Sequence, residues 1–208
     1  MLTWFFIALA ALLGFSVGRY RAHQLQNSGE ARVCRAIQKS CASPNWHLLN
    51  NVTLPTAEGT TQIDHVLVSR YGIFVIETKD YSGWIFGDAR IGQWTQVLYK
   101  KKSRFQNPLH QNYKHIKTVQ ALLDFLPPDQ VNGVVVFTGN AEFKTRRPDD
   151  VFTLPELVST LGKLNTEVMS LNRLQFCVGR LECQRLALTK KTDIEHQAHL
   201  KRRFGDSS

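Results

Sequence analysis

Residues 62–79, QIDHVLVSRYGIFVIETK, hold two apolar runs separated by the short segment Arg70-Tyr71-Gly72. The runs are rich in Val, Ile and Phe, and they predict β-strands over residues 62–69 and 73–79. Gly72 suits the positive φ of a tight hairpin turn. Both runs are apolar on both faces, so we expect the two strands to lie in the interior of a sheet.

The same hairpin is predicted to bring two acidic side chains together. Pairing about its turn makes opposed residue numbers sum to about 141, which places Asp64 opposite Glu77 to within one residue. Opposed side chains share a face, and Lys79, two residues beyond Glu77, lies on that face too. Two carboxylates buried side by side repel each other and cost several kcal/mol unless a cation offsets them.

Two arrangements would offset that charge. One is a buried ion pair with Lys79 alone. The other adds a divalent ion such as Mg²⁺, which takes carboxylate oxygens and could also take the carbonyl of Thr78. Lys79 is a third charged group beside the two carboxylates, and the surrounding sequence is basic. Both features favour the metal site.

The rest of the chain predicts a mixed sheet covered by helices. A helix capped by Ser28 is expected to begin the domain. The predicted elements are a helix at 28–41, strands at 47–54, 94–100 and 131–138, and helices at 107–126, 154–164 and 172–187. The element at 94–100 is predicted as a single strand or as part of a hairpin. This order is typical of an α/β or α+β domain.

The composition limits which kinds of protein this chain can be. The 208 residues allow one domain with short appendages, and 43% hydrophobic content is that of a folded chain. Lys and Arg number 26 against 17 Asp and Glu, a net charge of +9. This charge fits nucleic acid or an anionic membrane surface as partner, and it fits equally well a basic cytoplasmic protein with no such partner. The four cysteines form no C-x-x-C pair, which favours reduced, buried thiols over a zinc site or a disulfide.

The first 18 residues contain no charged side chain. As a helix they would span about 27 Å, close to the thickness of a bilayer core. Tyr20 and the basic residues Arg19 and Arg21 follow the apolar run, whereas a signal peptide would carry its charge before it. We therefore expect a single-pass, uncleaved membrane anchor over residues 1–21, with the remaining chain in the cytoplasm.

Several segments together resemble a known family. They are TTQIDHVLVSRYGIFVIETKDYSGWIFG (60–87), Gly29-Glu30, QWTQ (93–96) and NPLHQN (107–112). In this order and spacing they resemble the nuclease-related domain, NERD, over about residues 28–140. That family is grouped with the PD-(D/E)xK nucleases. The resemblance implies a restriction-endonuclease-like mixed central sheet and Mg²⁺-dependent (or Mn²⁺-dependent) hydrolysis of DNA, in preference to RNA.

The resemblance also implies roles for individual residues. Asp64 and Glu77 would bind the metal together with Thr78, and Lys79 would orient or deprotonate the attacking water. Glu30 would complete the acidic shell, and Gln111 would face the nucleic-acid backbone. Ile63 stands where the motif often has proline.

Other predictions concern the substrate and the domain limits. The basic residues Lys100, Lys101, Lys102 and Arg104 either contact phosphates or form a solvated loop. Trp84 and Trp94 either stack on bases or, as we favour, pack in the core. The predicted divisions are a linker (22–28), a nuclease-like core (29–140), a C-terminal helical extension (141–189) and a polar tail (190–208). No small-molecule cofactor is expected, and the alternative function is a catalytically silent binding module that is tethered to the membrane and binds nucleic acid or protein.

Overall fold

The computed structural model describes residues 28–187, which form two mixed β-sheets and four α-helices. The helices are α1 (Ser28–Ser40), α2 (Pro108–Leu122), α3 (Leu154–Gly162) and α4 (Leu171–Gln184). The strands are β1 (Trp46–Thr56), β2 (Gly59–Ser69), β3 (Gly72–Lys79), β4 (Gly83–Phe86), β5 (Gln93–Leu98), β6 (Lys101–Gln106), β7 (Val131–Phe137), β8 (Ala141–Phe143) and β9 (Val151–Thr153). The predicted mixed α/β architecture is confirmed.

The larger sheet has five strands in the order β1-β2-β3-β7-β9. The first three strands form an antiparallel meander, and β7 and β9 continue the sheet parallel to β3. Strands β2 and β3 therefore lie in its interior, as their continuous apolar character predicts.

The β2–β3 hairpin has the predicted register. Its pairs run from His65 opposite Ile76 to Ser69 opposite Gly72. Gly72 adopts a φ of +132°, a conformation that residues with a Cβ rarely reach. The Ser69 hydroxyl stabilises the turn by donating to the Gly72 carbonyl at 2.7 Å and accepting from the Tyr71 N–H at 3.1 Å.

Helices cover both faces of the larger sheet. Residues from α1 and α3 pack against one face, in a cluster of Val33, Ile37, Leu67, Ile76, Val134, Val136, Leu157 and Leu161. Residues from α2 and α4 pack against the other face, where the cluster includes Val66, Val75, Val119, Leu123, Leu174 and Leu181. Because side chains alternate along a strand, Asp64 and Glu77 share the second face with Val66 and Val75.

The second sheet corrects one predicted element. It has the order β6-β5-β4-β8. The strand predicted at 94–100 ends at Leu98, and Tyr99, with φ +54°, turns the chain into β6. The sequence of β6, KKSRFQ, has too few apolar residues to be recognised as a strand. The sheet is joined to the larger one by a buried cluster in which Ile85 and Trp94 pack with Val135, Phe137 and Val151.

The terminal predictions lie largely outside the described residues. These are the anchor at 1–21, most of the linker at 22–28 and the tail at 190–208. Within residues 28–187, no helix combines the length and the apolar character needed to cross a membrane. The segment 141–189, predicted as a helical extension, contributes α3 and α4 and also the short strands β8 and β9.

Candidate active site

Asp64 and Glu77 lie one residue beyond the His65–Ile76 pair, where the β2–β3 hairpin opens. Glu77 is 2% exposed, between β2 and the parallel neighbour β7. Asp64 is half-buried, and its Oδ2 accepts a hydrogen bond of 2.7 Å from the backbone N–H of Thr78. The hairpin therefore brings the two predicted metal ligands to the same place, and Thr78 contacts one of them through its main chain.

Lys79 extends from the last position of β3 into the same cluster. Its Nζ donates to Oε1 of Glu77 at 2.7 Å and to Oε1 of Gln111 at 3.1 Å. Gln111 lies on α2, which begins at Pro108 after Asn107 caps it by accepting from the Leu109 N–H. The structure thus places Gln111 against Lys79, and its predicted contact with a nucleic-acid backbone stays a prediction.

His115 is a member of the cluster that sequence reasoning missed. It is buried on α2, and its Nε2 lies 3.3 Å from Oε2 of Glu77, an ion-pair distance whose angles fall outside hydrogen-bond geometry. Its Nδ1 lies 2.8 Å from the Thr61 hydroxyl. His115 follows Gln111 by four residues, so both occupy one face of the helix. The four-residue spacing from Gln111 is the feature of the sequence that could have indicated His115.

The two acidic residues have opposite electrostatic surroundings. Burial raises the pKa of Asp64 well above its usual value, and the charges of Glu77 and Glu30 add to the effect. Burial would also raise the pKa of Glu77, but contacts with His115 and Lys79 outweigh it and lower that pKa. The neighbours of Glu77 therefore stabilise its charged form, whereas the neighbours of Asp64 destabilise its charged form.

Lys79 is held in its charged form. Burial alone would lower the pKa of Lys79, but the carboxylates of Glu77 and Asp64 outweigh it and raise that pKa above the ordinary value. At neutral pH the side chain is an ammonium group. In that form it can orient an oxygen or stabilise negative charge.

Glu30 approaches the cluster from α1. Its charge contributes to the raised pKa of Asp64, which places the two carboxylates near each other. The neighbouring Gly29 allows this approach, because a Cβ at that position would lie 2.6 Å from the Thr138 hydroxyl. An ion pair between Arg32 and Asp80 ties the same helix to the residue after β3.

The donor set suits a hard divalent cation. Oε2 of Glu77 is buried and has no hydrogen-bond partner among residues 28–187. The carboxylates of Glu77 and Glu30 both act electrostatically on Asp64, so three acidic side chains contribute to the cluster. No three His, Cys, Asp or Glu side chains in the described part of the chain are spaced to hold a metal by themselves. Main-chain carbonyls and water would have to complete a Mg²⁺ shell.

The predicted basic residues lie on the other sheet. Lys100 follows Tyr99 at the tip of the β5–β6 hairpin, and Lys101, Lys102 and Arg104 lie on β6 with exposed side chains. Their predicted phosphate contacts would therefore be made beside the acidic cluster and not within it. The two tryptophans differ in burial: Trp94 is fully buried, whereas Trp84 is 49% exposed.

Comparisons with known proteins identify the matching family. The nuclease-related domain, NERD, matches residues 25–138, a range that includes α1, strands β1 to β7 and the whole acidic cluster. An uncharacterized protein of Bacillus anthracis is 48% identical over 98 residues, which make up 47% of this chain. The matched region spans 46% of that protein, about half its length.

Proposed function

This chain belongs to the nuclease-related domain family of the PD-(D/E)xK superfamily, and on that premise we propose that it is a metal-dependent nuclease. It would hydrolyse phosphodiester bonds of DNA, or of RNA, on a core of the restriction-endonuclease-like type. One observation carries the proposal. Asp64 and the Glu77-Thr78-Lys79 segment converge at the open end of a buried hairpin, as the superfamily's motif requires.

Mg²⁺, or Mn²⁺ in its place, would be held by the carboxylates of Asp64 and Glu77 and by the carbonyl of Thr78. Glu30 would add acidic charge from α1. Such an ion, when bound, lowers the pKa of a coordinated water and stabilises the charge that grows on the scissile phosphate. The convergence of three acidic side chains on one site supports this proposal.

The chain's own residues would position the reactants. Lys79 would present its ammonium group to the attacking water or to a phosphate oxygen. Gln111 and Glu77 fix the direction of that side chain. His115 restrains the second oxygen of Glu77, and Thr61 restrains His115. This is positional and electrostatic catalysis, in which preformed contacts do not have to reorganise.

The setting of the reaction is proposed from the sequence. Lys100, Lys101, Lys102 and Arg104 would contact substrate phosphates, and Gln111 would lie close to the backbone being cut. Residues 1–18 would anchor the chain in a membrane, with the nuclease domain in the cytoplasm. The net charge of +9 supports both a nucleic-acid and a membrane-surface partner.

A catalytically silent binding module is the second candidate. It is favoured by the pairing of Lys79 with Glu77, because an ion pair already satisfies part of the charge that a metal would offset. Such a protein would bind nucleic acid, or a protein, and leave it intact.

One experiment separates the two candidates. The 208-residue chain, purified in a neutral detergent, is incubated with duplex, single-stranded and branched DNA and with RNA, in Mg²⁺, Mn²⁺ or EDTA. We expect cleavage only with a divalent ion, loss of cleavage in Glu77→Ala and Lys79→Ala, and retained binding in EDTA. The exposed Asp124→Ala serves as the control.

The outcomes are distinct. Binding without cleavage under every condition would favour the silent module. Cleavage by both Glu77→Ala and Lys79→Ala at the parent's rate would place the chemistry elsewhere in the chain.

A further inference from the structure

The outer face of the four-stranded sheet carries exposed aromatic rings. On β4, Ile85 is fully buried, whereas its neighbours Trp84 and Phe86 are 49% and 37% exposed. Side chains alternate across a strand, so these two rings share the face that points away from the core. Large rings exposed side by side on a sheet are unusual unless a partner covers them.

Basic side chains stand in register with those rings. Trp84 pairs with Val97 on β5, which pairs in turn with Lys102 on β6. Phe86 is connected to Arg104 in the same way, through Thr95. The face thus has two parallel rows, each with a ring on β4 and a cation about 10 Å away on β6.

The two edges of this face differ in charge. At the β8 edge, Lys144 lies over the Trp84 ring, 4.9 Å from its centroid, and also pairs with Glu142. At the β6 edge, the neighbouring residues are Lys100, Lys101 and the 95% exposed Tyr99. Positive charge therefore accumulates along β6, while rings occupy β4.

We propose that this face, defined by Trp84, Phe86, Lys102 and Arg104 and here named the platform, binds a single-stranded segment of nucleic acid. Bases would stack on the two rings, at Trp84 in place of the Lys144 ammonium group, and phosphates would follow the cations of β6. Every base offers a flat face for stacking once it is unpaired, whereas a duplex keeps those faces covered. The arrangement of rings beside a basic track therefore fits a single strand better than a duplex.

The platform is close to the candidate active site. Trp84 follows Lys79 by five residues, so their Cα atoms are separated by at most about 17 Å. That distance is on the order of five phosphates along one strand of B-form DNA. A strand that extends a few nucleotides beyond the platform would be long enough to span this separation. This inference, which rests on the proposed nuclease function, assigns single-stranded or frayed ends as the preferred substrate.

The test measures binding without cleavage. The full chain in neutral detergent and EDTA is titrated into a labelled 20-nucleotide single strand and into a duplex of the same sequence. We expect the double variant Trp84→Ala/Phe86→Ala to bind the single strand at least tenfold more weakly and the duplex less than threefold more weakly. Phe176→Ala, which removes a 61% exposed ring from α4, is the control and should bind both as the parent does.

Salt dependence tests the cations. Lys102→Ala/Arg104→Ala should lower the slope of log affinity against log salt by about 1.4 for the single strand, since each phosphate contact contributes about 0.7. Trp84→Ala/Phe86→Ala should leave that slope unchanged. An unchanged slope in the cation variant would overturn the assignment of phosphates to β6.

Other outcomes reject the platform. The platform would be rejected if Trp84→Ala/Phe86→Ala bound the single strand as tightly as the parent. It would also be rejected if the variant lost as much affinity for the duplex as for the single strand. If that variant instead loses binding to phosphatidylserine vesicles and keeps its oligonucleotide affinity, the face is a lipid-binding surface. Cleavage by the parent with unchanged strand binding in the variant refutes the platform alone. Ring-dependent strand binding without cleavage of any substrate refutes the nuclease proposal alone.

Discussion

Individual residues in the acidic cluster are not interchangeable, although Asp64 and Glu77 are both carboxylates that interact with the charge of Lys79. Glu77 is paired with Lys79 and His115, and its pKa is lowered. Asp64 has one backbone hydrogen bond, and burial together with two neighbouring carboxylates raises its pKa. Titratable groups whose surroundings push their pKa values apart are typical of sites that perform acid–base or metal chemistry. The difference leads to contrasting predictions for the two acids.

Asp64→Asn should stabilise the fold while removing metal binding. The amide keeps an oxygen for the Thr78 N–H and ends the repulsion from Glu77 and Glu30, so we expect the free energy of unfolding in EDTA to rise by about 1 kcal/mol. Urea denaturation measures it. Because the folded-state pKa of Asp64 is raised, its cost is present at pH values above that pKa and disappears as the pH falls through it. The advantage of the variant should shrink in the same direction.

Added Mg²⁺ should raise the stability of the parent and not that of Asp64→Asn, because only a bound ion shifts the unfolding equilibrium. A variant less stable than the parent in EDTA at neutral pH would contradict the electrostatic account of Asp64.

His115→Ala should weaken metal-dependent cleavage through Glu77. Residues that orient a metal ligand typically contribute 10–100-fold to metal affinity or activity, and we expect the Mg²⁺ concentration for half-maximal cleavage to rise by that factor. His110→Ala is the matched control, since His110 is an exposed histidine on the same helix. His115→Gln, which retains a polar group near Glu77, should recover part of the loss. Equal effects of His110→Ala and His115→Ala would show that His115 has no special role.

At the scale of elements, the position of α1 depends on a glycine. Gly29 meets the Thr138 hydroxyl and the Cβ of Asp80 so closely that a methyl group would lie 2.6 Å and 2.8 Å from them. The helix also packs through Val33 and Ile37. Its first turn, with Glu30, is therefore held against the end of β3 by close backbone approach as well as by the Arg32–Asp80 ion pair.

Gly29→Ala should push α1 away from the site. Overpacking of this kind typically costs about 1–3 kcal/mol, more than the gain of up to about 1 kcal/mol that alanine brings to a helix. Gly179→Ala on α4 is the control, because a Cβ there has no neighbour within 4 Å and should stabilise the protein. Thermal denaturation compares the two. A Gly29→Ala protein as stable as Gly179→Ala would mean that α1 is not closely docked.

Element prediction from the sequence succeeded where the pattern was local. The hairpin register followed from a glycine turn between two apolar runs, and the main helices followed from their apolar spacing. The strands β4, β8 and β9 were missed because they have four, three and three residues. Strands so short are stabilised by their neighbours in the sheet, a contribution that no sequence window contains. His115 was missed for a similar reason, since its role depends on packing α2 against β3.

At the scale of the whole molecule, Trp94 connects the two sheets. Its ring is fully buried and stacks on Phe137 of the larger sheet, with 6.3 Å between ring centroids. Its indole N–H donates to the Asp88 carbonyl at 2.9 Å. The buried cluster around it is the main apolar contact between the platform's sheet and the sheet that carries the acidic residues.

Trp94→Ala should therefore affect both sheets together. Truncating a buried aromatic residue typically costs about 3–5 kcal/mol, and we expect that loss in urea denaturation, with lower single-strand binding and cleavage at the same time. Trp84→Ala, on the exposed face, should cost less than about 1 kcal/mol of stability. Similar losses in the two variants would indicate that the sheets fold independently.

The connection between β3 and β4 has a practical consequence. Only residues 80–82 separate the strands, and they are tied down: Asp80 pairs with Arg32, and Ser82 accepts from Gln96 and from the N–H of Asn140. An epitope or fluorophore inserted into residues 80–82 would disrupt these contacts and displace the side chain of Lys79. The exposed turn at Tyr99 and Lys100 is a place where the chain can be lengthened without displacing Lys79.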